Sequence, residues 1–144
     1  RKESSAASDV YKRQEHNGAE VNTAKIANET PDLTMFNGHA NQYVFEPLRA
    51  RVGERVRIWV LAAGPSRGCS FHVVGTQFDT VFKEGAYTLK RGNPEGGGCQ
   101  ALDLASAQGG FVEMVFEEPG RYTFVNHSFV EMERGAKGFI EVTT

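Results

Sequence analysis

Through most of the chain after Leu33, apolar residues recur at every second position, and this period of two constrains the fold more than any other feature. Glu54-Arg55-Val56-Arg57-Ile58-Trp59-Val60 and Phe111-Val112-Glu113-Met114-Val115-Phe116 alternate charged with apolar side chains, as does part of Arg121-Tyr122-Thr123-Phe124-Val125. Successive side chains of an extended strand point to opposite faces, so these runs describe strands with one buried face. Turn chemistry separates them at Val52-Gly53-Glu54, Gly64-Pro65-Ser66, Gly96-Gly97-Gly98, Gln108-Gly109-Gly110, Glu118-Pro119-Gly120 and Arg134-Gly135. About seven or more short strands with little helix predict an all-β antiparallel Greek-key sandwich. Pro119-Gly120-Arg121-Tyr122 agrees with this, because a turn followed by an inward Tyr matches the tyrosine corner that closes such sandwiches.

The 144 residues leave room for one domain of ordinary size. A net charge of -2, with Lys and Arg scattered among Asp and Glu, lacks the basic stripe that phosphate backbones select, so nucleic acid is not expected as a partner. No apolar run approaches the roughly 20 residues that cross a bilayer, and membrane insertion is not expected. Residue 1 is Arg, and the reading is that the natural N-terminus, with any export signal, lies upstream.

Residues 1–19 show no apolar periodicity and read as a disordered tail. Ser4-Ser5-Ala6-Ala7-Ser8-Asp9-Val10-Tyr11-Lys12-Arg13-Gln14 also looks like translated adaptor sequence, which makes an artefactual tail the companion reading. Residues 20–31 form a connector with a short helix, capped by Asn22 and ended before Pro31, and residues 32–144 form the sandwich domain.

Four histidines stand singly at positions 16, 39, 72 and 127. In Cys69-Ser70-Phe71-His72-Val73-Val74, alternation puts Cys69, Phe71 and Val73 on the more apolar face and turns Ser70, His72 and Val74 away from the core. Tyr122 and Phe124 likewise share one face, which sends Thr123, Val125 and His127 to the other. Imidazole both ligates copper or zinc and exchanges protons near neutral pH, so two outward histidines at strand ends describe half of a metal centre. A lone strand histidine is more often merely exposed, and His39, in Gly38-His39-Ala40-Asn41, and His16 carry that plainer reading. The loop after His127 holds Met132, but no Cys lies beyond residue 100, which rules out an intact blue-copper site in this chain. The two cysteines, Cys69 and Cys99, read first as small buried apolar groups and only second as a disulfide.

The ordered motifs Pro31-Asp32-Leu33, Phe36-Asn37-Gly38, Val52-Gly53-Glu54-Arg55-Val56-Arg57, Gly64-Pro65, Ser70-Phe71-His72-Val73-Val74-Gly75, Phe78-Asp79, Glu84-Gly85, Pro119-Gly120-Arg121-Tyr122, His127 and Gly135-Ala136-Lys137-Gly138 resemble the second cupredoxin domain of copper-containing nitrite reductases and their multicopper-oxidase relatives. The resemblance covers about residues 30 to 144 and implies a cupredoxin-like fold. In that family an N-terminal domain holds a type 1 (blue) copper and two of three His ligands of a type 2 copper, and a neighbouring subunit's second domain supplies the third. His127 matches that third ligand, His72 matches the catalytic proton-donating His, and Val74 matches a residue that shapes the pocket. The resemblance further implies nitrite as substrate, a small electron-donor protein, a homotrimer and a periplasmic or exported location. It also implies that an Asp of the N-terminal domain handles protons, so this chain alone is expected to be inactive.

Two features depart from the family pattern. The segment Tyr87–Gly98 is basic and glycine-rich, which leaves open what orients the catalytic His, and Cys69 stands where Ser or Ala is usual, raising a redox-active thiol near copper. Two other readings stay open: a laccase-like oxidase domain, although this chain has no His-x-His pair, and a non-catalytic sandwich module that keeps both histidines without metal.

Overall fold

The computed structural model describes the backbone of residues 3–10 and residues 21–144 in full. The connector helix forms as expected: α1 (Thr23–Ala27) starts where the Asn22 side chain accepts from the Lys25 N–H at 3.1 Å, and it stops before Pro31.

The domain is a two-sheet β-sandwich with cupredoxin-like topology. One sheet has the order β2 (Leu33–Phe36), β1 (Glu3–Val10), β4 (Arg55–Gly64), β9 (Gly109–Val115), β6 (Thr80–Lys83), β7 (Ala86–Leu89). The other has the order β3 (Leu48–Arg51), β11 (Lys137–Thr143), β10 (Gly120–Asn126), β5 (Cys69–Val73), β8 (Ala101–Leu104). Alternation decides what lies between the sheets: in β4, Ile58, Val60 and Ala62 are buried while Trp59 and Leu61 stay half exposed. Phe124 is the hub of the core, with ring centroids 5.4 Å from Phe36, 5.6 Å from Tyr43 and 5.8 Å from Phe71. Each such ring, fully buried, contributes about 1.5–3 kcal/mol.

Glu3–Val10 departs from the tail expectation by pairing parallel with β4 and antiparallel with β2. Strand pairing uses backbone groups, so it needs no apolar periodicity of its own. The rest of that expectation, and His16, lie outside the described residues. A short helix unforeseen in the sequence, α2 (Gln42–Phe45), buries Tyr43 against the sandwich.

The turn at Pro119-Gly120 performs as expected. The Tyr122 hydroxyl donates to the Glu118 carbonyl at 3.0 Å, and its ring packs on Phe116 at 4.5 Å. Tyr122→Phe should keep the packing and lose the hydrogen bond, lowering stability by about 1 kcal/mol in urea unfolding; an unchanged midpoint would deny the corner its role.

Candidate functional site

The two outward histidines meet. β5 pairs antiparallel with β10, and the register sets His72 opposite Val125. The ladder continues one step past the end of β10, where the His127 N–H donates to the Ser70 carbonyl at 2.8 Å. The imidazoles of His72 and His127 lie with centroids 5.4 Å apart at 69°. Their separation is therefore a product of strand pairing between Ser70 and His127.

His72 is half-buried, and its Nδ1 lies 2.5 Å from the Gln100 carbonyl oxygen. A carbonyl only accepts, so Nδ1 carries the hydrogen and Nε2 is the nitrogen without a hydrogen-bond partner among the described residues. The orienting group is a backbone atom at the far end of the glycine-rich segment, so the departure in residues 87–98 leaves the ring fixed. His127 is exposed and stacks against Phe129, 4.9 Å away at 24°. Neither of its ring nitrogens has a hydrogen-bond partner among the described residues. An imidazole with both nitrogens uncommitted fits a metal ligand, and copper accepts such donors. Among the described residues no group of three or more His, Cys, Asp or Glu is placed to hold a metal ion.

The loop after His127 is held from below. Buried Asn126 donates its N–H to the Ala136 carbonyl at 3.0 Å, while its Oδ1 accepts from the Ser70 N–H at 3.1 Å and the Ser128 N–H at 3.4 Å. One amide thus brackets His127 on both sides. Sequence reasoning missed it, although Asn beside a singled-out His at a strand end was the available signal. The loop itself contains a helix, α3 (Phe129–Glu133), which packs on β10 and β2. That correction explains a second one: Val125, assigned to the outward face, is only 2 % exposed because the end of β10 is covered on both faces.

Val74, Phe129 and Val130 are about half exposed, and Phe129 lies against the His127 ring. His127 also opens onto a cleft of about 460 Å³ shared with Arg67, Ser70, Asp103 and Ser128. The charges there are matched: Arg67 meets Glu29 and Glu131, and a hydrogen bond from Lys83 holds the Asp103 carboxyl below its ordinary range. Both cysteines are free; Cys69 is 2 % exposed on the face opposite His72, and burial pushes its thiol up to about 12, which disfavours the reactive thiolate. His39 stays in its loop, with Nδ1 3.0 Å from the Ala40 carbonyl.

Over 120 residues the chain is 34% identical to the copper-containing nitrite reductase of Neisseria gonorrhoeae, a match covering 82% of this chain and 29% of the relative. The copper-containing nitrite reductase of Neorhizobium galegae is 31% identical over 116 residues, 79% of this chain and 29% of its own length. The chain is a cupredoxin-like domain related to the copper-containing nitrite reductases. Among solved structures, a copper-containing nitrite reductase of Thermus scotoductus superposes on this chain with a TM-score of 0.77 at 27% identity, covering 96% of this chain and 30% of that one. A copper nitrite reductase of Nitrosomonas europaea shares the fold, with a TM-score of 0.79 at 22% identity over 98% of this chain and 48% of that one. No family model matches this chain. The chain spans about a third of the length of the curated relatives it matches. No described helix is long and apolar enough to cross a membrane.

Proposed function

We propose that this chain is the second cupredoxin domain of a nitric-oxide-forming, copper-containing nitrite reductase, supplying one type 2 copper ligand and a proton-donating His at a subunit interface. The observation that carries the reading is the facing pair of outward imidazoles, one uncommitted and one oriented by a carbonyl. His127 is the copper ligand, through a ring nitrogen that no group among the described residues engages. When bound, copper supplies an electron and an open position for the oxygens of nitrite. His72 supplies the proton: with Nδ1–H held by Gln100, its Nε2 is the atom that delivers a proton to a nitrite oxygen. Nitrite then takes one electron and two protons and yields nitric oxide and water. Val74, exposed on the strand that carries His72, shapes the pocket wall.

The remaining ligands, a type 1 copper and a second proton-handling carboxylate come from the N-terminal domain, and the shared site makes the protein a homotrimer. A small electron-donor protein reduces it in the periplasm or outside the cell, as a step of denitrification. The full-length copper-loaded protein, given a reduced dye and nitrite, should release one nitric oxide per electron. Oxygen consumption with a phenolic substrate and no nitric oxide would replace this reading with an oxidase, and absence of bound copper would leave a structural module.

A further inference from the structure

The helix that follows His127 is anchored in an unusual way. Of the five residues of α3, Glu131 is the one that is buried, at 1% exposure. A carboxylate taken out of water is costly unless a cation meets it. That cation is Arg67, whose Nη1 lies 2.9 Å from Glu131 Oε1, while its Nε reaches Glu29 Oε2 at 3.0 Å. Glu131 Oε2 has no hydrogen-bond partner, so a single guanidinium offsets the buried charge. Two hydrogen bonds from Thr34 set the height of the helix over β2: its hydroxyl donates to the Glu131 carbonyl, and its N–H donates to the Arg134 carbonyl at 3.2 Å.

The anchor reaches both histidines. Arg67 lies two residues before β5, the strand of His72, and Glu131 sits four residues after His127. Phe129, the first residue of α3, stacks on the His127 ring yet is 59% exposed, so the placement of α3 decides where its ring lies. The Thr34 bonds hold the helix backbone, and the ion pair between named atoms adds a directional tie through the Glu131 side chain.

We propose that the Arg67–Glu131 pair is a latch that fixes α3, and through the Phe129 stack fixes the His127 imidazole for metal binding. Arg67, Glu131 and Phe129 are thus positioning residues. The inference rests on His127 being the copper ligand, as proposed above.

The test uses the full-length protein and copper(II), with copper content, type 2 EPR parameters and blue absorption measured on each variant. Glu131→Gln keeps shape and removes charge; it should weaken type 2 copper binding about tenfold or more and shift the type 2 hyperfine coupling, with the blue absorption intact. Arg67→Gln should do the same, and the double variant should add little to either single change. Phe129→Ala, at an exposed position that folding does not need, should shift the same EPR parameters even where the charge variants fail to assemble. Parental copper affinity and EPR in Glu131→Gln and Phe129→Ala, while His127→Ala loses its type 2 copper, would overturn the latch alone. Retention of type 2 copper in His127→Ala would instead remove the ligand assignment and the latch with it.

Discussion

Full-length protein carrying His127→Ala is expected to lose its type 2 copper EPR signal and keep its blue absorption. Loss of an outer hydrogen-bond partner of a ligating His already costs 10–100-fold in metal affinity, so deleting a ligand itself should cost more than about 100-fold. No nearby group is ready to substitute. Among the described residues no cluster of three or more metal-binding side chains exists, and His72, 5.4 Å away ring to ring, is held at Nδ1 by the Gln100 carbonyl. The substitution leaves the fold alone, because His127 is exposed and its structural hydrogen bond is made by the backbone N–H. Nitrite turnover should fall with the copper. Parental type 2 copper content in this variant would sink the assignment.

His72→Ala should have the opposite signature: both coppers retained, and kcat for nitrite reduced by about 10²–10⁴-fold, the usual worth of a positioned proton donor. The ring is prepared for that role before substrate arrives. Its Nδ1–H is spent on Gln100, which fixes both the tautomer and the plane and leaves Nε2 as the working nitrogen. Copper and spectra measured beside the rate separate this effect from ligand loss. A parental rate would show that another group supplies the proton.

Both histidines and their outward faces were legible in the sequence, because a strand's period of two reports which side of a sheet each residue faces. Asn22 as a helix cap and Tyr122 as a corner residue were legible for a similar reason: each acts on backbone within four residues of itself. The groups that finish the site were not. Gln100 orients His72 through its carbonyl, an atom every residue has, so nothing in its identity marks it. Val125 follows the alternation but is buried, because the covering of β10 on its second face is a tertiary event. Nothing in the sequence marks Glu131, since its partner Arg67 lies 64 positions away and comes near only when β5 and β10 pair. The meeting of the two imidazoles belongs to this class as well: alternation gives each a side, and only register gives them a distance.

Main-chain pairing of Ser70 with His127 sets how far apart the two backbones lie, while the Phe129 side chain bears on how the His127 ring is turned. The two settings are thus separable: a change in the side chains of α3 can turn one ring without moving the strand that carries the other. The sheet acts as a ruler, and the loop after it sets the aim.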